Sequence, residues 1–374
     1  MAGIVPFVDL VAQYESIAEE IDRAFHEVTA SAQYILGARV QRFEEEFANF
    51  VGADHAVGVG SGLDALRLGL LALEIGPGDE VIVPANTYIA TAFAVSEVGA
   101  DIVLVDCDPA TYNVDPDAAA GALTSRTRAL LPVHFTGQAA EMKPLLELAA
   151  SNSLDVVEDA AQAHGTRYEG RPCGSLSKLA CFSFYPGKNL GAYGDGGMVT
   201  TSDPAVVERT RRLRNYGERA KYDHVIKGVN SRLDGLQAAF LSVKLPHLPG
   251  WNEARLRHAD TYTAQLDGVG DLVLQQRSSS STHVYHLFIV ETAERDALRD
   301  FLTERGIQTG IHYPIPIHLQ EAYSDLAIGP GAFPHTERLA QESLSLPMYP
   351  ELTEERIRSV TDAIREFFAS GRAR

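Results

Sequence analysis

The feature that most constrains the fold of this chain is an alternation of short β-branched runs with longer stretches of helical periodicity, between residues 55 and 157. Parallel strands need connections long enough to hold a helix, and this spacing supplies them. The predicted strands are residues 55–59, 80–83, 102–105, 130–133 and 154–157, and the predicted helices are residues 62–73, 89–98 and 142–150. The alternation therefore predicts an α/β fold with a mostly parallel sheet flanked by helices.

Further patterns lie on either side of this alternation. Apolar residues recur at helical spacing between residues 15 and 50, which predicts two N-terminal helices joined near residues 34–37. Beyond the alternation the rhythm loosens, and apolar runs at residues 179–184 and 198–200 enclose a glycine-rich loop. A predicted helix then covers residues 232–245.

Two prolines, Pro246 and Pro249, follow that helix and are expected to interrupt it. We therefore predict a domain boundary here, with a large domain over residues 1–245 and a smaller α+β domain over residues 246–374. The length of 374 residues agrees with two domains at roughly 150 residues each. The elements predicted for the smaller domain are strands at residues 284–290 and 308–311, and helices at residues 296–304 and from residue 354.

The chain is acidic, since 32 Lys and Arg residues against 50 Asp and Glu residues give a formal net charge of −18. Such a field repels nucleic-acid phosphates, which excludes a general nucleic-acid role but leaves room for a local pocket for one phosphorylated ligand. No apolar run reaches the length of a membrane span, and the N-terminus lacks the basic segment of a secretory signal.

The cysteines, Cys107, Cys173 and Cys181, are odd in number and have no CxxC spacing. This pattern predicts neither a zinc site nor a disulfide framework. We therefore expect reduced thiols in a cytoplasmic protein, with no metal ion and no membrane partner.

A glycine-rich turn, GVGSGLDAL at residues 58–66, follows the first predicted strand of the alternation and opens its first helix. Small residues let a backbone approach an anion closely, and the free amides of a helix N-terminus attract it. Leu63 stands where a dinucleotide-binding fingerprint needs its third glycine, and no Gly-Lys-Ser/Thr of a P-loop follows. A phosphate cradle of another type and a plain strand-to-helix turn both remain open.

An apolar strand ends in two carboxylates within the segment LDVVEDAAQAH at residues 154–164. In an open α/β sheet, ligands bind beyond the carboxyl ends of the strands, which is where Asp159 falls. A carboxylate there is costly to desolvate unless it meets a cation or hydrogen-bond donors. Helix capping by Glu158 or Asp159 is the alternative interpretation.

A single lysine, Lys188, lies just past another apolar strand, in the segment ACFSFYPGKN at residues 180–189. Most lysines are solvated surface groups, but this one stands between a predicted buried strand and a glycine loop. A desolvated lysine loses its proton readily and forms a Schiff base with a carbonyl.

Together these segments match what pyridoxal 5′-phosphate requires of a protein. A lysine binds the cofactor covalently, a carboxylate keeps the pyridine nitrogen protonated, and a helix N-terminus holds the phosphate. An aromatic side chain over the ring face would complete such a site, and Tyr88, beyond the second strand, is the candidate.

With these segments the chain resembles the DegT/StrS-type sugar aminotransferases. These are fold-type-I pyridoxal-phosphate enzymes that act on nucleotide-linked keto-sugars. The likeness extends over essentially the whole chain and includes many ordered motifs. They are PFVDL (residues 6–10), YILG (34–37), SGLDAL (61–66), GPGDEV (76–81), VHFTG (133–137), EDAAQ (158–162), the Lys188 loop and NSR (230–232).

The resemblance implies a role for each matching residue at the cofactor. Lys188 would be the Schiff-base lysine, Asp159 the partner of the pyridine nitrogen, and Gln162 a hydrogen-bond partner of the cofactor's 3-hydroxyl group. The phosphate would be held by Ser183, by the amides of Ser61 and Gly62, and by Asn230 of the neighbouring subunit. A homodimer with shared active sites follows from that last position. Relatives with histidine in place of the lysine act as dehydratases, so Lys188 favours transamination.

Three segments resemble the branch that aminates carbon 3 of dTDP-3-keto-6-deoxyhexoses: FYPGKNLG (residues 184–191), KY (221–222) and GIHYP (310–314). In that branch the sugar-nucleotide site would be lined by Tyr185, His312 and Tyr313, together with Lys221 of the partner subunit. Relatives that aminate carbon 4 share most of the scaffold, so a C4 aminotransferase remains the alternative.

The implied reaction moves an amino group from L-glutamate to the cofactor and then to the keto-sugar, in the biosynthesis of deoxyamino sugars for antibiotics or glycans. Lys188 serves in turn as covalent anchor and as general acid and base. Two alternatives come from other classes. A nicotinamide-dependent dehydrogenase would need the glycine that Leu63 replaces, and a non-catalytic regulator on this scaffold would be expected to lose Lys188, Asp159 or both.

Overall fold

A computed structural model describes residues 4–370 of the chain. The α-helices are α1 (Leu10–Ser31), α2 (Ala38–Val51), α3 (Gly62–Ala72), α4 (Ile89–Glu97), α5 (Pro116–Gly121), α6 (Met142–Asn152), α7 (Pro204–Leu213), α8 (Gly235–Lys244), α9 (Leu248–Leu266), α10 (Arg295–Glu304), α11 (Pro334–Glu342) and α12 (Glu354–Ala369). The strands are β1 (His55–Val59), β2 (Glu80–Pro84), β3 (Asp101–Val105), β4 (Thr127–Leu130), β5 (Asp155–Asp159), β6 (Arg167–Tyr168), β7 (Arg171–Pro172), β8 (Leu179–Ser183), β9 (Gly197–Thr201), β10 (Glu218–Ala220), β11 (Asp223–His224), β12 (Val273–Leu274), β13 (Phe288–Glu291) and β14 (Ser343–Leu346).

A seven-stranded sheet in the order β1-β9-β8-β5-β4-β2-β3 forms the centre of the fold. The neighbours from β8 to β3 pair in parallel, whereas β9 runs antiparallel to both β8 and β1. Because two reversals restore the direction, β1 points the same way as β8. The predicted α/β class with a mostly parallel, helix-flanked sheet is confirmed.

The sheet is apolar on both faces, as its helical crossovers require. Successive residues of one strand enter different hydrophobic clusters: Val81 and Val83 pack on one face, while Ile82 packs on the other. Helix α2 covers one face and helices α3 and α4 cover the opposite face. Burial on both sides explains why these strands read as continuous apolar runs instead of alternating ones.

A second sheet, in the order β12-β13-β14, lies towards the C-terminus. It shares a hydrophobic cluster with α9, α10 and α12 that also contains Val5 from the N-terminal segment. The amide of Val5 donates to the carbonyl oxygen of Gly306. The domain boundary after residue 245 stays a prediction. None of the helices within residues 4–370 combines the length and the apolar character that crossing a bilayer requires.

Four predicted elements differ clearly from the structure. The strand expected at residues 284–290 begins only at Phe288. The strand expected at residues 130–133 instead covers Thr127–Leu130, because Pro132 has no amide to donate to a ladder. The helix expected at residues 232–245 begins only at Gly235, and Pro249 lies in the first turn of α9, where a proline is tolerated, so it starts a helix instead of ending one. The strand expected at residues 308–311 amounts to an isolated bridge between Gly310 and Ser345.

The buried aromatic cluster under the sheet gives a direct test of the fold. The ring of Phe47 lies 4.9 Å from that of Phe182 and 5.3 Å from that of Phe184, centroid to centroid. We predict that Phe47→Ala lowers the free energy of unfolding by about 3–5 kcal/mol, because the lost contacts leave a cavity. Urea denaturation of the cofactor-free chain measures this. Phe25→Ala, at a site that is 43% exposed, is the control, and equal losses in both variants would contradict the assignment.

Candidate active site

The residues predicted to bind a cofactor converge on one edge of the central sheet. Ser61 follows the end of β1, Tyr88 follows β2, Asp159 ends β5 and Ser183 ends β8. These strands all point the same way, so their carboxyl ends meet at that edge, where open α/β sheets bind ligands.

Lys188 extends from the loop after β8 into this edge. Burial lowers the pKa of its amine to about 8, although the nearby carboxylate of Asp159 acts in the opposite direction. Within residues 4–370 no hydrogen bond holds Nζ. A substantial fraction of this amine is therefore neutral and nucleophilic near pH 8, which is what covalent chemistry with a carbonyl requires.

The Asp159 carboxylate is buried, with 4% of the residue exposed. Oδ2 accepts a hydrogen bond from Thr91 Oγ1 at 2.8 Å, and Oδ1 accepts one from the amide of Ala161 at 3.1 Å. Burial raises the pKa of Asp159, while these donors and the charge of Lys188 lower it. Asp159 is thus a carboxylate in a low-dielectric site that is suited to pairing with a protonated nitrogen. It caps no helix, so the capping alternative is wrong for this residue.

In the glycine turn, the backbone at Gly62 closely approaches Ser183 at the end of β8. A Cβ atom on Gly62 would lie 2.6 Å from Ser183 Cβ, so only glycine lets the first turn of α3 approach the end of β8. The Ser61 hydroxyl caps α3 by accepting from the amide of Asp64 at 3.1 Å. The amides of Gly62 and Leu63 have no intrahelical acceptor and face an anion at low cost.

Gln162 lies beside this site, with its amide group already held by neighbours. Its Oε1 accepts from the amide of Thr136 at 2.7 Å, and its Nε2 donates to the hydroxyl of Tyr313 at 3.3 Å. One N–H of Nε2 is left for another acceptor. The ring of Tyr313 also lies 5.2 Å from that of Tyr88, so the two tyrosines share one wall of the site.

The residues predicted to bind sugar differ in exposure. His312 is part-buried, and its ring stacks on that of Phe7 with 5.8 Å between the ring centres. A hydrogen bond of 2.9 Å joins its Nδ1 to Ser345 Oγ. Burial, followed by the charge of Lys188, lowers the pKa of His312 to about 4, so the ring is neutral at pH 7. Tyr185 is 60% exposed, at the outer end of the Lys188 loop.

Lys221 and Asn230 lie in the segment between α7 and α8. Lys221 is exposed in the turn between β10 and β11, with Nζ 5.2 Å from the centre of the Tyr222 ring, and Asn230 is exposed beside an isolated bridge to Asn215. Within the described part of the chain, no hydrogen bond joins either residue to Lys188. The role of both residues at a site shared between two subunits stays a prediction.

Sequence reasoning missed residues that hold the predicted ones in place. Thr91, which donates to Asp159, could have been found from the sequence, because it follows Thr87 by four residues in a mostly apolar segment. In the structure the two hydroxyl groups lie 3.0 Å apart. No sequence pattern pointed to His164 or His286. His164 is buried and His286 is half-buried. The charge of Lys188 acts together with burial to lower the pKa of each ring.

A buried cluster of His134, Glu158 and Cys173 lies behind the site, with its potential ligand atoms within 4.8 Å of one another. Glu158 accepts from His134 Nε2 at 3.1 Å and from the amides of Gly174 and Leu176, each at 2.9 Å. Backbone donors thus already occupy both carboxylate oxygens, and the cluster reads as a hydrogen-bonded support for the end of β5. The three cysteines of the chain are free and buried.

The residues present fit pyridoxal phosphate. The glycine turn offers a backbone cradle that a Cβ on Gly62 would fill. The Lys188 amine has a lowered pKa, and the buried Asp159 carboxylate interacts with it electrostatically.

The glycine cradle yields a test of cofactor binding. We predict that Gly62→Ala weakens pyridoxal-phosphate affinity by at least about tenfold, because the added methyl group pushes the first turn of α3 away from Ser183. Equilibrium dialysis of the cofactor-free chain, followed at the cofactor's absorbance, measures the change. Gly121→Ala is the matched control, since a Cβ there meets nothing within 4 Å. Unchanged affinity in Gly62→Ala would contradict a phosphate site at this turn.

Comparisons with known proteins identify the family of this chain. The family model described as the DegT/DnrJ/EryC1/StrS aminotransferase family matches residues 15–365. A dTDP-3-amino-3,4,6-trideoxy-alpha-D-glucose transaminase of Streptomyces venezuelae is 51% identical over 97% of this chain and 96% of its own length. A dTDP-3-amino-3,6-dideoxy-alpha-D-galactopyranose transaminase of Aneurinibacillus thermoaerophilus is 46% identical over 97% and 99%.

A solved structure extends the likeness to three dimensions. The crystal structure of DesV from S. venezuelae superposes with a TM-score of 0.97 at 50% identity, covering 98% of this chain and 99% of that one. The nearly complete coverage means that the whole chain, and not one domain of it, is shared. The chain therefore belongs to the DegT/DnrJ/EryC1/StrS family of pyridoxal-phosphate-dependent aminotransferases.

Proposed function

We propose that this enzyme aminates carbon 3 of a dTDP-linked 3-keto-6-deoxyhexose, with L-glutamate as the amino donor. The observation that carries the proposal is the full-length similarity, at 51% and 46% identity, to two transaminases named for dTDP-linked 3-amino sugars. These relatives do not favour amination at carbon 4, and neither a dehydrogenase nor a non-catalytic regulator is favoured by the family.

Lys188 is the group that moves protons in this reaction. Bound pyridoxal phosphate supplies a carbonyl for covalent attachment of amines and a ring that withdraws electrons from the bond being broken. With a pKa near 8, the Lys188 amine is able both to take a proton from the donor's α-carbon and to return one at physiological pH.

Asp159 is proposed to hold the cofactor's ring nitrogen in its protonated form. Its two hydrogen bonds, from Thr91 and Ala161, fix the carboxylate in place and leave lone pairs on both oxygens. In a buried site an unpaired carboxylate is costly, so a protonated nitrogen beside it is strongly favoured. Ser183, together with the amides of Ser61 and Gly62, is proposed to bind the phosphate.

The sugar nucleotide is proposed to contact Tyr185, His312 and Tyr313 from one subunit and Lys221 from its partner. A lysine suits a pyrophosphate, and neutral histidine and tyrosine suit sugar hydroxyls. Asn230 of the partner would complete the phosphate site. We therefore propose a homodimer with shared active sites. We also propose that the large domain ends near residue 245. The free cysteines agree with a cytoplasmic enzyme whose thiols are reduced, which we propose as its location.

A panel of substrates tests the proposed specificity. We expect 2-oxoglutarate to form from L-glutamate with dTDP-3-keto-6-deoxyhexose, at least about a hundredfold faster than with the 4-keto isomer, because the reacting carbonyl must meet the cofactor. The UDP-linked 3-keto sugar and L-aspartate extend the panel to the base and the donor. Product formation is followed by mass spectrometry.

Lys188→Ala is the control for this panel. It should lose the visible absorbance of the bound cofactor and should not turn over, because no amine is left to bind the carbonyl. A fully active Lys188→Ala enzyme would exclude the mechanism, whereas faster amination of the 4-keto sugar by the wild type would exclude only the regiochemistry.

Mixed dimers test the shared active site. Inactive chains carrying Lys188→Ala and inactive chains carrying Lys221→Ala, co-expressed with different tags, should recover about one quarter of wild-type activity. Half of the dimers are then mixed, and one of the two sites in each has both residues intact. Activity is assayed after purification on both tags in turn and compared with the unselected mixture.

The matched control combines Lys188→Ala with Asp159→Asn, both assigned to the same side of the site. Every site of that mixed dimer contains one altered residue, so no activity should return. Recovery in this control, or none in the Lys188–Lys221 mixture, would contradict the proposed sharing.

A further inference from the structure

Asn189, the residue after Lys188, is locked in one orientation. Its Nδ2 donates to the carbonyl oxygen of Val284 at 3.0 Å and to Asn252 Oδ1 at 2.9 Å. A carbonyl oxygen only accepts, so the atom that faces Val284 must be the amide nitrogen. Asn252 is fixed in the same way, since its own Nδ2 donates to the carbonyl oxygen of His164 at 2.8 Å. Asn189 Oδ1 is therefore an acceptor on its remaining side.

This orientation determines the tautomer of His286. Nδ1 of His286 lies 3.2 Å from Asn189 Oδ1. An oxygen that can only accept requires an N–H opposite it, so Nδ1 carries the proton. In the neutral ring the lone pair is then on Nε2. Within residues 4–370 no hydrogen bond reaches that atom.

The surroundings keep His286 neutral. Burial lowers the pKa of the ring well below 6.5, and the charges of Lys188, Arg255, His312 and His164 lower it further, with Lys188 the largest among them. The residue is half-buried. His286 is thus a neutral acceptor whose ring contacts Asn189, the residue that follows Lys188. Within residues 4–370 the Lys188 amine has no hydrogen-bond partner either.

We propose that His286 is a positioning residue for Lys188, whose free ammonium group donates a hydrogen bond to Nε2 of His286 while it is not bonded to the cofactor. The four-carbon stem of lysine is flexible enough to bring the two atoms together. The Asn252–Asn189 pair sets the tautomer that makes this possible. The hydrogen bond holds the amine inside the site between its two proton transfers. This inference rests on the function proposed above.

The two amide substitutions separate this role from a structural one. The amide of asparagine takes the place of Nδ1, so His286→Asn keeps the contact with Asn189 but has no atom at Nε2. The longer glutamine places its amide oxygen near Nε2, so His286→Gln keeps an acceptor there and gives up the contact with Asn189.

The first measurement needs neither cofactor nor sugar. The cofactor-free chain is treated with acetic anhydride across a pH series, and acetylation of Lys188 is quantified by mass spectrometry of its peptide. The midpoint of the wild type is the reference value. An acceptor favours the ammonium form, so we expect the midpoint to fall by about one pH unit in His286→Asn and to stay within about 0.3 of the wild type in His286→Gln.

The second measurement uses the loaded enzyme. We expect kcat to fall about tenfold in His286→Asn, KM for the keto-sugar to stay within about twofold, and His286→Gln to recover most of the rate. His258→Gln is the control: this histidine lies in α9 with its Nε2 on the carbonyl oxygen of Pro350, away from Lys188.

The outcomes are decisive in either direction. An unshifted midpoint in His286→Asn, or a glutamine variant as impaired as the asparagine variant, would overturn the proposal. If both variants fail to fold, the ¹⁵N chemical shifts of the wild-type histidines test it directly, because a protonated Nε2 on His286 would overturn it. If the wild type aminates none of the sugars, the function fails, while the acetylation series still tests the contact between His286 and Lys188.

Discussion

The structure depends on placing a carboxylate and an amine together where water is scarce. Asp159 and Lys188 each meet a burial penalty, which raises the pKa of the carboxyl group and lowers that of the amine, and each partly offsets the penalty of the other. Within residues 4–370 neither group forms an ion pair. Thr91 and the amide of Ala161 hold the carboxylate, and the amine keeps its freedom to react. The Lys188 amine thus stays nucleophilic, whereas a tight salt bridge would hold it in its protonated form.

The parallel sheet makes this placement possible, and its class was predictable because the signal is repeated along the chain. Each strand is apolar over both faces, and each crossover has the length of a helix. Strand ends were less predictable. An apolar run that is buried on both sides carries no period-two pattern to mark where pairing stops, so the predicted strand at residues 130–133 was displaced relative to Thr127–Leu130. The end of that ladder is decided by Pro132 and the neighbouring strands.

Some residues of the candidate site were also predictable from the local sequence, and others were not. Lys188, Asp159 and Gly62 were predictable because the local sequence around each already fixes the environment: a strand end, a glycine turn or a loop. Thr136, whose amide holds Gln162, and His286 lie far along the chain from their partners, with sequence separations of 26 and 97 residues. Their roles arise from tertiary contacts, and no local pattern encodes those.

The net charge of −18 gives a physical reason why the proposed anion site would use backbone amides. A cluster of lysines and arginines would recruit phosphate through a long-range field, but in this chain the surrounding carboxylates would weaken that field. The amides at the start of α3 act only at contact distance, so the acidic surface scarcely affects them. They also carry no proton to titrate, and they leave the pKa of Lys188 to be set by burial and by Asp159. Binding the phosphate through these amides, as proposed, would therefore separate cofactor recognition from the proton chemistry proposed for Lys188.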